Sequence, residues 1–441
     1  MKIAVIGGGI GGMAAARALV AAGVDAHVLE ASARPGGVVG STRIDGFLRE
    51  HAASSFLGGA GNGALALCRE LGVAVDKASD HAKRRWIYID GKLRELPHDP
   101  LSLARSDLLT WRGKLALVRE PFAPKRRPGE DESVHAFAAR RLGPEAARAI
   151  VAPFVTGVFA ADSHEISLEA GFPKFAALDE AGGLVVGMLK QLVKRPKGPR
   201  TPRGLYAPAG GMGALADALA RELGPRLRLG ARVERVGPGT GPGVDIDGDK
   251  WDGAVLALPA SLASALVEDT LPELAARLDD FYRAPVAVCY VGFPASAIAK
   301  GVLDGFGFLV AQGEDLRVLG CVYESTVWPD RAPEGHVLLR CILGGGRDAD
   351  AAQLPDGELI SLVRRDLEIA IGIDAEPVHA SVITWDRGIA QYQVGHRDHV
   401  RAASSLARAH RLVLAGADYR GAGLNDLCAD AEAIVAEVKS W

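Results

Sequence analysis

Residues 2–23 read KIAVIGGGIGGMAAARALVAAG. Ile3–Ile6 is apolar without alternation, the pattern of a strand buried on both faces in a parallel sheet. Gly7, Gly9 and Gly12 follow at G-x-G-x-x-G spacing. Met13–Ala22 is alanine-rich and helix-forming, and Gly23 stops it. Val24–Leu29 gives a second strand that ends in Glu30. Each glycine has its own reason: one permits the sharp turn, one lets backbone approach a pyrophosphate, one lets helix pack on strand. The helix N-terminus then offers unpaired N–H groups and partial positive charge to phosphates. Glu30, 18 residues beyond Gly12, can accept both hydroxyls of a ribose, which disfavours a 2′-phosphorylated nucleotide. A glycine-rich turn that binds nothing is the bland alternative. Strand, helix, strand and acid in that order outweigh it, and the stretch predicts a dinucleotide site.

That pattern leaves NAD and FAD both open. Arg34-Pro35-Gly36-Gly37 follows where an NAD domain begins an ordinary helix. Alone it is a turn. It resembles the second glycine pair that flavoproteins of the amine-oxidase superfamily set against FAD. The chain's other end has the same shape as its start: VLAGADYRGAGLNDLCADAEAIVAEV, residues 413–438, runs from an apolar strand through glycines into a helix.

At 441 residues the chain can bury a large core and form more than one domain. A net charge of −3 with 48% hydrophobic residues describes an ordinary globular protein and gives no basic balance for nucleic acid. Cys68, Cys289, Cys321, Cys341 and Cys428 lie far apart, with no metal-ligand spacing, and read as free, mostly buried thiols of a reducing compartment. The N-terminal apolar run is too short for a signal peptide, and no run reaches a membrane span. The expectation is a cytoplasmic protein.

Between Lys83 and Arg127 twelve basic residues meet five acids, interleaved with Trp86, Tyr88, Trp111, Phe122 and leucines. A solvated insertion and a surface for anionic lipid or anionic substrate weigh about equally. The proline-rich KRPKGPRTPR, 194–203, reads as a linker. Leu205–Gly224 gives another turn and amphipathic helix, Leu227–Val236 a strand, and 251–266 a return to the nucleotide domain. Strands at 285–293, 306–312, 317–325 and 336–344 with short turns predict an antiparallel sheet. That sheet carries no catalytic triad, HExxH or paired carboxylates, so it reads as a pocket wall.

Three stretches carry a family resemblance. TWDRGIAQYQVGH, 384–396, resembles the IPQYxxGH signature of protoporphyrinogen oxidases, with Ala390 where proline is usual. APFVTGVFAADSHEISLEAGFPKF, 152–175, resembles their GxxAGD segment, and LAGADYRGAGLNDLC resembles their closing flavin motif with Leu427 interposed before Cys428. One departure matters below: the family's ExGPxS is Glu50-His51-Ala52-Ala53-Ser54-Ser55 here, so Gly-Pro becomes Ala-Ala. Ala161 also replaces a glycine.

The resemblance implies an α/β fold: a discontinuous Rossmann-like FAD-binding domain (1–78, 204–262, 380–441), an antiparallel-sheet substrate domain (79–95, 263–379) and a helical, basic, membrane-associated insertion (96–203). FAD is then assigned to Gly7, Gly8, Gly9, Ile10, Gly11 and Gly12, to Glu30, Arg34, Gly37 and Val38, and to Ala52, Ala53, Ser54 and Ser55. Val233, Trp385, Gly416, Ala422, Gly423 and Leu424 complete the cofactor set, the last four lying beneath the isoalloxazine ring. Ala161, Phe306, Leu309, Val322 and Ile342 are the implied substrate walls, with plain sheet core as their alternative. The implied reaction takes six electrons from protoporphyrinogen IX in three steps, hydride passing to flavin N5 and molecular oxygen taking the electrons onward. No side-chain catalyst and no metal are expected. Coproporphyrinogen III oxidation is the close rival. A flavin amine oxidase and a non-catalytic GDI-like protein are the remoter ones. Oligomeric state is left open.

Overall fold

The computed structural model describes residues 1–59, 61, 63–127, 129–193 and 204–441. The proline-rich stretch 194–203 lies outside the described residues. Lys2–Ile6, Asp25–Glu30, Leu227–Leu229, Gly253–Leu256 and Leu412–Leu414 form one five-stranded sheet, every neighbouring pair parallel. Its central strands read as unbroken apolar runs because helices cover both faces. The helix Ile10–Ala21 packs on one face through Met13, Ala16 and Leu19, with the helices Gly213–Leu223 and Ala431–Lys439 beside it. The helix Ala260–Val267 helps to cover the other face.

The second sheet has seven strands in the order His379–Ala390, Arg283–Pro294, His336–Gly344, Gly320–Val322, Gly307–Val310, Trp86–Ile89, Lys92–Glu95. It is antiparallel except where Gly307–Val310 runs parallel to Trp86–Ile89. One face buries Cys289, Val291, Leu339 and Cys341 against the helix Asp356–Ile371. The other bears Val288, Tyr290, Leu338 and Ile342 and looks toward the nucleotide-binding side. Residues 96–193 are largely helical, from Pro100–Arg105 to Leu184–Val193. No described helix is long and apolar enough to cross a membrane. All five cysteines are free and buried.

The sheets cut across the expected segments at one place. The strand His379–Ala390 pairs with Arg283–Pro294, so the last segment begins on the seven-stranded sheet before returning to the parallel one. Three expected strands are shorter, and 306–312 keeps only Gly307–Val310. In 317–325 only Gly320–Val322 joins the sheet, because the buried Asp366 carboxylate takes the Arg317 and Val318 N–H groups and 324–327 turns helical. In 227–236 the chain leaves the parallel sheet at Gly230, whose φ of +69° turns it into a small antiparallel sheet that starts at Val236.

Candidate active site

The first glycine turn divides its work as its spacing requires. Gly7 has φ +111°, and a Cβ there would stand 2.4 Å from the Ala257 carbonyl oxygen. A Cβ on Gly12 would stand 2.1 Å from the Gly7 oxygen, so helix and strand pack in van der Waals contact only with glycine. Gly9 is different: no heavy atom lies within 4 Å of where its Cβ would be. It is also the N-cap of the 12-residue helix Ile10–Ala21, and no side chain caps that end. Open space facing uncapped N–H groups is the form a pyrophosphate fills. The Glu30 carboxylate accepts from Gly8 N at 2.6 Å and Ser32 N at 2.8 Å, leaving lone pairs on both oxygens for ribose hydroxyls. These residues fit the ADP half of FAD.

The second glycine pair meets the first. Gly36 N donates to Gly8 O at 2.8 Å, and a Cβ on Gly37 would lie 3.2 Å from the Gly9 Cα. Arg34 folds back on its own turn, donating to Gly37 O at 2.6 Å, while Val38 is exposed. Ala231 N donates to Glu30 O at 2.8 Å and brings the half-buried Val233 to the same edge.

The C-terminal turn closes on the N-terminal one. After Leu412–Leu414, Gly416 takes φ +115° and Gly423 caps the short helix Leu424–Ala429. Leu427 on that helix lies 3.6 Å from the position of a Gly11 Cβ. The Tyr392 hydroxyl donates to Ala417 O at 2.5 Å and accepts from Gly421 N at 3.1 Å, so the tyrosine of the 384–396 signature shapes this turn. His396 stacks on Tyr392 at 4.2 Å, and burial holds its pKa down to about 4. A cleft of about 760 Å³ opens beside Tyr392, Gly421, Ala422 and Gly423.

Residues 50–57 run from the second glycine pair to the C-terminal turn. His51 N donates to Gly40 O at 2.8 Å at one end, and the Asn425 side chain donates to Leu57 O at 2.7 Å at the other. Three consecutive carbonyls of this segment are held from three adjacent strands of the seven-stranded sheet. Tyr290 Oη donates to Glu50 O at 2.8 Å, Trp385 Nε1 to His51 O at 2.8 Å, and Arg340 Nη2 to Ala52 O at 2.6 Å. Trp385 therefore acts on this segment through His51. The Glu50 side chain is fully buried and bonds Ser41, Met212 N and, at 2.7 Å, Arg331. Burial pushes its carboxyl above the usual range, and Arg331 opposes that.

The same sheet face carries the expected substrate wall. Leu309, Gly320 and Ile342 stand in register across three strands, and Val322 is paired with Arg340. A Cβ on Gly320 would stand 2.6 Å from the Phe308 oxygen and 3.0 Å from Leu309 Cδ2, so glycine there lets the Leu309 side chain lie close against this strand. Phe306 is half-buried, with the Arg85 guanidinium 4.8 Å over its ring. Ala161 is 1% exposed, packed with Val155, Phe159 and Tyr392 behind the wall. Sequence reasoning singled out neither Arg340 nor Tyr290. The available signal was position, since Arg340 lies two residues before Ile342 and so on the same face.

This fold and paired glycine turns define an FAD-dependent oxidoreductase, and the chain belongs to the flavin-containing amine oxidoreductase family, whose model matches residues 10–426. Within that family it stands with the protoporphyrinogen oxidases. A chloroplastic protoporphyrinogen oxidase of Oryza sativa subsp. japonica is 33% identical over 439 residues, 91% of this chain and 80% of the relative. The coproporphyrinogen III oxidase of Bacillus subtilis (strain 168) is 26% identical over 469 residues, 100% of this chain and 98% of that one. A crystal structure from Exiguobacterium sp. 255-15, assigned as a protoporphyrinogen oxidase, superposes with a TM-score of 0.82 at 25% identity, covering 100% of this chain and 98% of that one. The chain is an FAD oxidase of the tetrapyrrole-biosynthesis group.

Proposed function

We propose that the chain oxidises protoporphyrinogen IX to protoporphyrin IX, with molecular oxygen as the final acceptor. The observation that carries this is the apolar row Leu309–Gly320–Ile342 with Val322, facing the segment that joins the two glycine turns. A flat macrocycle needs a broad apolar wall, and Leu309, Val322 and Ile342 on one sheet face give it one. FAD supplies the hydride-accepting chemistry when bound. The protein's part is to hold the cofactor with Gly9, Glu30, Gly37, Ala53 and Gly423, to exclude water with the wall, and to meet propionates with cations. Arg347, half-buried beside the wall, donates to the Val310 carbonyl at 3.1 Å. Turnover of the purified protein on the two porphyrinogens, followed by porphyrin fluorescence, tests this. The expected result is the higher kcat/KM for protoporphyrinogen IX.

Coproporphyrinogen III is the second reading, favoured by that cation and by the full-length likeness to the Bacillus subtilis enzyme. A higher kcat/KM for it would establish that reading instead. An amine oxidase would need a buried lysine, and among the described residues no lysine is buried. The intact cofactor turns argue equally against a binding protein without turnover.

The insertion supports peripheral attachment to anionic membrane. Trp111, Leu115, Val118 and Phe122 recur along the helix Trp111–Val118 and its extension, 69%, 38%, 73% and 88% exposed. Arg112, Lys114 and Arg119 flank them. Lys83, Arg84, Lys92, Arg94 and Arg126 are already in ion pairs, so less of the basic cluster is free than its count suggests. The apolar stripe therefore carries the attachment, with charge assisting. Flotation with phosphatidylglycerol vesicles should capture the protein at low salt. Trp111→Ala with Phe122→Ala should release it, and no capture at low salt would refute attachment.

A further inference from the structure

The Arg340 guanidinium donates to the Ala52 carbonyl at 2.6 Å and lies beside the Tyr290 hydroxyl, while its Nε has no hydrogen-bond partner among the described residues. Glu324 is 0% exposed, and neither of its carboxyl oxygens has a hydrogen-bond partner there. Beside them Arg331 Nη1 pairs with the Glu50 carboxylate at 2.7 Å. A buried ionic group bonded this sparsely gives little stability, since apolar residues of similar volume would do as well. Its place is the informative feature. The peptide that Arg340 holds is Ala52–Ala53, in the segment that joins the two cofactor turns. Hydrogen bonding to a peptide's carbonyl polarises the N–H of the same peptide. That N–H belongs to Ala53, and it makes no hydrogen bond among the described residues. In the resembled motif this position is proline, which has no N–H.

We propose that Arg340 is a positioning residue for the flavin: by holding the Ala52 carbonyl it presents a polarised Ala53 N–H to the cofactor, a donor that proline at 53 would lack. The proposal rests on FAD lying between the two glycine turns. A donor and a buried cation on that side stabilise the reduced, more negative flavin and raise its midpoint potential. Glu324 sets the balance. It faces Arg340 on the strand His336–Gly344, Arg331 and Asp330 just before that strand, Glu50 at the end of the strand Phe47–Glu50 and Tyr290 on the neighbouring strand. Burial raises its pKa to about 7. Ionised, it adds a negative charge beside Arg340 to that of Glu50; neutral, it removes that charge and leaves the cation stronger.

The test compares Arg340→Met, Arg340→Lys, Ala53→Pro and Glu324→Gln with the parent by midpoint potential, flavin spectrum and FAD titration of the apoprotein. Arg340→Met and Ala53→Pro should each lower the potential and weaken FAD about tenfold. Their double variant should do little more than either, and Arg340→Lys should recover part of the loss. Glu324→Gln should match the parent at pH 6 and show the higher potential at pH 8. Unchanged potential and FAD affinity in Ala53→Pro would overturn the proposal, even if Arg340→Met does not fold. Glu30→Ala is the control for cofactor placement: if it too leaves FAD binding unchanged, the placement itself fails.

Discussion

The Asn425 side-chain amide donates to the Leu57 carbonyl at 2.7 Å, and its oxygen accepts the Ala64 N–H at 2.9 Å. Residues 368 and 361 positions apart in sequence are thereby tied into one wall of the cofactor trough. Asn425→Ala removes both bonds and should cost about 1–3 kcal/mol of stability. Urea unfolding of the apoprotein measures this, and weaker FAD binding should accompany it.

Gly9 and Gly12 separate cofactor binding from folding. Gly9→Ala meets no protein atom within 4 Å and has an ordinary φ of −69°, so the apoprotein should fold normally. Its methyl group would occupy space meant for the pyrophosphate, and FAD affinity should fall. Gly12→Ala puts a Cβ 2.1 Å from the Gly7 oxygen and should destabilise the fold itself. Thermal melts of the two apoproteins, with FAD titrations, distinguish the effects.

Glu30→Ala should weaken FAD by roughly 1.5–3 kcal/mol, the loss of a charged acceptor for two hydroxyls. Titration of the apoprotein with FAD checks it. In the parent protein the flavin should be released on denaturation, since binding rests on glycine turns and hydrogen bonds.

The buried Glu324 makes stability depend on pH. Its folded pKa of about 7 lies above the ordinary 4.5, so between these values the folded chain binds more protons than the unfolded one. The contribution is complete below about pH 4.5 and is lost as pH rises through 7. Unfolding free energy should therefore decline over that window by up to about 3 kcal/mol. Glu324→Gln should flatten the decline. An equal slope in parent and variant would remove Glu324 as its cause.

The sequence by itself determined the parts of this protein that depend on local backbone. Gly7, Gly9 and Gly12 sit where a strand must turn into a helix; glycine's missing Cβ allows the close backbone approaches at Gly7 and Gly12 and leaves open space at Gly9, so spacing alone revealed the cofactor turn. The antiparallel sheet was legible from its short apolar runs for the same local reason. The signature 384–396 was recognisable as a pattern, but its purpose became visible only when Tyr392 was seen bonding Ala417 and Gly421. Beyond the shared strand face of Arg340 and Ile342, nothing local marks Arg340, Tyr290 or Glu324, which in a sequence are an arginine, a tyrosine and an acid among many. Tertiary structure gave them meaning by packing the seven-stranded sheet against residues 50–52, so that groups almost 300 positions apart share one buried, water-poor site. Hydrogen bonds and charges act over a few ångströms, and that nearness is set by how the two sheets pack, which no short stretch of chain records.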